Sequence, residues 1–406
     1  KPVAASGSGI ESAPRRAVRD RPNFVVIFAD DLGYGDLSCY DPSGVVTPHL
    51  DALAEEGFRS TDFFVPANVC SPSRAALLTG RYPMRCGMPV ARTEAPGSKY
   101  KSYGFSSEEI TIPELLKPAG YRSLMVGKWH LGMEVEGSHP IDAGFDEHLG
   151  IPSNYGKNRG PNYNTLYRGR VVEQRKVPCE ALTRRYTDEV VSFIGREKDK
   201  PFFIYVSHHI VHTPLLPRKE FAGTSKKGKY GDFVRELDHS TGRILKAIRE
   251  AGLDENTLVV FTSDNGPNSL GSTGGLNGGK YCTMEGGHRV PGIFRWPGQI
   301  PPGQVSEVTL TSMDLLPLFC GLAGVQPPVD RTIDGKEILP ILQGRRTATP
   351  HEVLFYYNGT NLQAVREGSW KLHLPRTSKD QPFWCKKRGP GRVLVTLDRQ
   401  LLFNLE

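Results

Sequence analysis

The chain has 406 residues, 38% of them hydrophobic and 23% charged, with a formal net charge of +7. That balance suits one large domain, or a domain with a smaller companion, and leaves ample material for a core. No apolar run is long enough to span a bilayer, and no basic stripe interleaved with aromatics marks a nucleic-acid binder, so both classes are set aside.

Residues 1–20, rich in Ala, Ser, Pro and Arg, read as a flexible N-terminal tail or a remnant of processing. Asn23–Ala29 (NFVVIFA) is a short, nearly continuous apolar run, as in a strand buried on both faces of a parallel sheet. Thr47-Pro48 opens a helix that ends near Gly57, with proline at the first helical position and glycine past the end. Residues 121–126, 202–206 and 257–262 repeat the buried-strand pattern. A helix is predicted over 230–251, where Val234, Leu237, Thr241, Ile244, Leu245 and Ile248 recur three or four apart. Strands alternating with helices predict an α/β fold, with a large, mostly parallel central sheet flanked by helices.

Stretches 88–107, 151–176 and 265–279 look irregular, and loops of that length are functional or disordered. From about residue 347 the pattern shifts to short strand-like runs, at 353–357 and 363–366, which predict a small antiparallel C-terminal subdomain. The run 401–406 reads as a strand in mid-course, so the natural chain is expected to continue. The expected organisation is a tail at 1–20, a catalytic domain at 21–346 and a C-terminal subdomain, possibly incomplete, at 347–406.

Chemistry concentrates at the predicted strand ends. Asp30 and Asp31 directly follow the first strand, and Asp264 and Asn265 follow the strand at 257–262. In open α/β sheets the carboxyl ends of strands form the ligand crevice. Each pair alone reads as a helix cap or an Asx turn. Together, three carboxylates and an amide oxygen make a hard-oxygen cage suited to calcium or magnesium. Cys70-Ser71-Pro72-Ser73-Arg74 places a thiol immediately before a helix, with Arg74 four residues on. Helix N-termini favour negative charge, and the arginine adds to that. Lys128 and His130 can both project into the crevice if their segment is extended. His208, His209 and His212 follow 202–206, and a transition-metal set is discounted because the oxygen cage selects a hard cation. Lys280 follows two glycines that allow close backbone approach, so its ammonium can reach an anion.

The seven cysteines, Cys39, Cys70, Cys86, Cys179, Cys282, Cys320 and Cys385, include no CxxC pair, which argues against zinc. Their pairing stays open. The single sequon, Asn358-Gly359-Thr360, is expected by chance at this length.

The run from Cys70 to Arg74, continuing to Thr79-Gly80-Arg81, resembles the signature of the formylglycine-dependent sulfatases of the alkaline phosphatase superfamily. Asp30-Asp31-Leu32-Gly33-Tyr34-Gly35-Asp36-Leu37 and the segments 120–132, 261–267 and 285–291 resemble the same family. The resemblance implies that Cys70 is oxidised to formylglycine, whose hydrated aldehyde attacks sulfur. It implies that Asp30, Asp31, Asp264 and Asn265 bind calcium, and that Arg74 and Lys128 hold the hydrated aldehyde. It implies sulfate binding by Lys128, Lys280 and His212, and with it the choice of His212 as functional and of His208 and His209 as packing or supporting groups. His212 would also protonate the leaving oxygen, Asp264 would take the nucleophile's proton, and His130 would deprotonate the second hydroxyl during release.

The implied activity is hydrolysis of sulfate esters, on a sulfated saccharide or an aryl sulfate. The implied partner is a formylglycine-generating or equivalent maturation enzyme. Export to the periplasm, the outside or the lysosome is expected. Two alternatives stay open: a phosphonate monoester or phosphodiester hydrolase of the same superfamily, and a catalytically silent glycan-binding relative. Lys99, Lys101, Lys157, Arg159, Arg168 and Arg170 give the irregular stretches a basic bias, which points to a polyanionic glycan.

Overall fold

The structure is a computed structural model that describes residues 21–91, 104–156, 164–377 and 396–406. Residues 1–20, Lys99, Lys101, Lys157, Arg159 and Cys385 lie outside them. The strands are β1 (Asn23–Ala29), β2 (Phe58–Phe64), β3 (Arg122–Lys128), β4 (Glu147–Ile151), β5 (Leu166–Arg168), β6 (Val171–Gln174), β7 (Phe202–Ser207) and β8 (Thr257–Ser263). They continue with β9 (Arg289–Arg295), β10 (Gln304–Ser306), β11 (Leu310–Thr311), β12 (Leu354–Asn358), β13 (Asn361–Glu367), β14 (Trp370–His373) and β15 (Leu401–Asn404). The helices are α1 (Pro48–Glu55), α2 (Cys70–Thr79), α3 (Ile112–Leu116), α4 (Cys179–Glu197), α5 (Gly228–Glu250), α6 (Glu285–His288), α7 (Leu315–Ala323) and α8 (Leu339–Leu342).

The described residues form an eleven-stranded sheet in the order β10-β2-β9-β8-β1-β7-β3-β4-β5-β6, with β11 beside β2. Its centre is parallel: β1 pairs in register with β7 on one side and β8 on the other, and β3 pairs with β7. Antiparallel pairings enter through β9 on one flank and β5 and β6 on the other.

Every residue of β1 is buried, because both faces of the sheet are covered. Val25, Ile27 and Ala29 pack into one core with Leu50 of α1, Val190 of α4 and Leu237 of α5. Phe24, Val26 and Phe28 pack into the other with Leu77 of α2 and Phe319 of α7. The period-two alternation of the strand thus feeds two helical layers. Each such large side chain contributes about 1.5–3 kcal/mol on burial.

The C-terminal antiparallel sheet has the order β12-β13-β14-β15. It is joined to the main body by a buried ionic cluster. Lys371 of β14 reaches Glu285 at the start of α6 at 2.8 Å, and Arg366 of β13 reaches Asp62 of β2 at 2.6 Å. One expectation is corrected here. The stretch 151–176 is not wholly irregular, since it carries the β5–β6 hairpin, in which Tyr167 pairs with Val172. No helix among the described residues is long and apolar enough to cross a membrane.

Candidate active site

Five elements deliver their ends to one place. Asp30 and Asp31 follow β1, Lys128 ends β3, Ser207 ends β7, Asp264 follows β8, and Cys70 begins α2. Parallel pairing aligns the carboxyl ends of β1, β3, β7 and β8, so side chains far apart in sequence meet at one edge.

Three buried carboxylates face three buried cations. Lys128 Nζ lies 2.7 Å from Asp30 Oδ2. Arg74 Nη2 lies 2.6 Å from Asp264 Oδ2 and 3.6 Å from Asp30 Oδ1. Lys280 Nζ contacts both oxygens of Asp31, at 2.6 and 2.8 Å, and approaches Cys70 Sγ at 3.6 Å. Arg74 is fixed further by its other amino group, which donates to Ser207 Oγ and, at 3.3 Å, to the carbonyl of Lys128. Ser207 in turn donates to that same carbonyl at 2.7 Å.

His212 and His130 border the same cluster. His212 Nε2 lies 3.8 Å from Asp31 Oδ2, and its Nδ1–H donates to the Thr213 carbonyl at 2.6 Å. His130 is buried beside Lys128 and Arg74, and its Nδ1 has no hydrogen-bond partner. The condition set for Lys128 and His130, an extended segment, is not met. The strand stops at Lys128, and positive φ at Gly127 (106°) and His130 (61°) turns the chain there. His208 and His209 are buried against α5 and α4, where they meet Ser240 and Cys179.

Burial sets the charge states. The Cys70 thiol is pushed up to about 12, because burial outweighs the nearby Lys128 and Lys280. An unmodified thiol there stays protonated, whereas reactive cysteines have depressed values. Burial also raises the Asp264 carboxyl to about 6, and Asp30 beside it adds to the rise while Arg74 opposes it. Asp31 behaves oppositely: burial would raise it, but Lys280, His212 and Lys128 together hold it well below the usual carboxylate range. Burial, with Lys280 adding, pushes His212 down to about 3.

A divalent cation suits these residues. Ligand atoms of Asp30, Cys70 and Asp264 lie within 4.8 Å of one another. Asp30 Oδ1 and Asn265 Oδ1 are buried without a hydrogen-bond partner. Asn265 turns its amide nitrogen away, to Asp31 Oδ1 and the Gly266 carbonyl, both at 2.9 Å, so its acceptor oxygen is left over. Buried acceptors without donors are costly, and a hard cation is what such an oxygen set satisfies.

Sequence reasoning missed Ser207, Asn268, whose amide nitrogen donates to Asp31 Oδ2 at 3.5 Å, and the pair in which the Tyr230 hydroxyl donates to Asp36. Only Ser207 carried a signal, as a polar residue at the carboxyl end of an apolar strand. The basic residues Arg168 and Arg170 lie on and beside the β5–β6 hairpin, where they pair with Glu189 and Asp142.

The profile of the Sulfatase family matches residues 22–325. N-acetylgalactosamine-6-sulfatase of Canis lupus familiaris is 41% identical over 396 residues, spanning 91% of this chain and 74% of its own. Human arylsulfatase A is 40% identical over 391 residues, spanning 88% and 75%. A solved Bacteroides thetaiotaomicron structure, described under the metabolism of multiple glycosaminoglycans, superposes with a TM-score of 0.81. It is 28% identical and covers 95% of this chain and 94% of its own.

Proposed function

The chain belongs to the sulfatase family, and we propose from that premise that it removes sulfate from saccharides using a formylglycine made from Cys70 and a bound calcium ion. It is a sulfuric ester hydrolase. The observation that carries the finer reading is the ring of Arg74, Lys128 and Lys280 around Cys70 and the acidic residues. Saccharide substrates are supported by the relatives named for N-acetylgalactosamine 6-sulfate and for glycosaminoglycan metabolism.

Asp30, Asp31, Asp264 and Asn265 would hold the calcium ion, and the aldehyde hydrate would supply a hydroxyl nucleophile and a second hydroxyl for release. The residues of the chain do the rest. Lys128 and Lys280 are held in place by Asp30 and Asp31, so they neutralise a sulfate ester without reorganising when it binds. Arg74, fixed by Ser207 and Asp264, would orient the hydrated aldehyde at position 70. Asp264 would accept a proton from the nucleophilic hydroxyl. His212 holds its ring by the Nδ1–H bond to the Thr213 carbonyl, which leaves Nε2 free to face Asp31 at 3.8 Å. A sulfate ester seated there supplies the negative charge that raises His212 from its depressed value, so Nε2 can carry the proton for the leaving oxygen. His130 would take a proton during release; its Nδ1 makes no hydrogen bond and its buried ring stays neutral.

The test is turnover of a panel of position-defined sulfated saccharides, matched against an aryl sulfate and a phosphonate monoester. Faster turnover of a 6-sulfated amino sugar is expected. Turnover confined to the phosphonate would overturn the reading.

A further inference from the structure

Asp36 is a buried carboxylate with a different role. It is 4% exposed and makes no ion pair among the described residues. Burying an unpaired carboxylate is costly, so hydrogen bonds must offset it. Oδ2 accepts from Gly33 N at 2.7 Å and from the Tyr230 hydroxyl at 2.5 Å, and Oδ1 accepts from Ser272 N at 2.7 Å.

Those donors come from three separate segments. Gly33 belongs to the loop after β1, which carries Asp31. Ser272 belongs to the loop after β8, which carries Asn265, Asn268 and Lys280. Tyr230 sits in the first turn of α5, and its hydroxyl also lies 3.2 Å from the Asp31 carbonyl. The two loops touch backbone to backbone. Gly35 N donates to Ser272 O at 3.0 Å, and a Cβ on Gly33 would fall 2.1 Å from that same oxygen. Asp31 itself sits at φ 64°, a left-handed backbone that costs an ordinary residue about 1–2 kcal/mol. Something must hold it there, and the Asp36–Tyr230 pair is next to it.

We propose that Asp36, braced by the Tyr230 hydroxyl, is the positioning residue of the cation site. It locks the Asp31 loop in register with the loop that bears Asn265 and Lys280. Among the described residues Asp36 bonds to none of the side chains of Asp30, Asp31, Asp264 and Asn265, so it acts through the loops that carry them. The proposal rests on the calcium reading above.

The experiment is a calcium titration of EDTA-treated protein, read as the rise in melting temperature, for wild type, Asp36→Asn and Tyr230→Phe. Asp36→Asn keeps the shape, but its amide nitrogen replaces one acceptor, so either the bond from Ser272 or the bond from Gly33 is lost. Residues that orient metal ligands typically control affinity by ten- to a hundredfold, so the calcium midpoint of Asp36→Asn is expected to rise by about tenfold or more. Tyr230→Phe, which keeps the ring and its packing, is expected to shift the midpoint in the same direction by a smaller factor. At saturating calcium, kcat on an aryl sulfate is expected to recover in both variants. A merely structural role would lower the melting temperature equally with and without calcium and leave the midpoint unmoved, and that result would overturn the proposal. A wild type whose melting temperature ignores calcium would instead overturn the calcium reading. If Asp36→Asn fails to fold, the midpoint of Tyr230→Phe decides alone.

Discussion

Lys280 Nζ stands 3.6 Å from Cys70 Sγ while both oxygens of Asp31 grip it from the other side. One ammonium therefore joins the nucleophile position to the acidic loop after β1. The neighbouring cations do not activate the thiol, since burial keeps its value at about 12. They are arranged for an anion larger and more polar than a thiolate, which is what a sulfate ester brings.

Removing Lys280 leaves Asp31 buried without its main partner. Breaking one side of a buried ion pair costs about 3–5 kcal/mol. Lys280→Met is expected to lose melting temperature by a wider margin in EDTA than in calcium, because a cation near Asp31 compensates the orphaned charge. Scanning calorimetry in the two buffers checks this, and an equal loss in both would count against a cation at this place.

Gly127 is required by geometry. Its φ is 106°, and a Cβ there would lie 1.8 Å from the carbonyl oxygen of Ser207 on the neighbouring strand. Gly127→Ala combines backbone strain with a clash that flexible side chains cannot relieve, for a cost on the order of 2 kcal/mol or more. Both Lys128 and Ser207 shift with the backbone, so activity is expected to fall more than unfolding alone explains. Denaturant midpoints measured beside kcat separate the two effects.

Glu285 makes the junction with the C-terminal sheet sensitive to acid. Burial would raise its carboxyl, but Lys371 and Arg366 outweigh burial and hold it down to about 2, against an ordinary value of 4.5. Lys371 itself is pushed down to about 8, since its own burial exceeds the pull of Glu285. Between pH 4.5 and 2 the unfolded chain binds the Glu285 proton more readily than the folded one, so acid favours unfolding. The contribution of Glu285 is complete above pH 4.5 and is lost as pH falls through 2. Urea midpoints measured in steps across that window are expected to fall less steeply for Glu285→Gln, which starts from a lower stability at pH 7. An unchanged slope would show that this carboxyl does not titrate as its surroundings demand.

Sequence periodicity made the central layers legible for a physical reason. The β1 run is apolar on both faces because two helical layers cover it, and α5 shows its stripe because only one face is covered. The β5–β6 hairpin escaped notice because it is short and largely exposed, with Val171 at 71%, so no apolar alternation marks it. The candidate site was legible at Asp30, Asp31, Cys70, Arg74, Asp264 and Lys280 through motifs that place charge at strand and helix ends. The position of Ser207 was legible at a strand end, but its role and the Asp36–Tyr230 pair were not, because they depend on contacts between segments 79 to 194 residues apart. No local pattern encodes such a contact.

The most direct test is the intact mass of the peptide that carries Cys70, taken from a preparation that hydrolyses a sulfate ester and set beside the activity of Cys70→Ala. Conversion of the thiol to an aldehyde lowers the mass by the difference between sulfur and oxygen plus two hydrogens, about 18 Da. The expected result is that lower mass in the active protein and loss of turnover in Cys70→Ala. A full-mass thiol in active protein, or undiminished turnover by Cys70→Ala, would contradict the role assigned to Cys70.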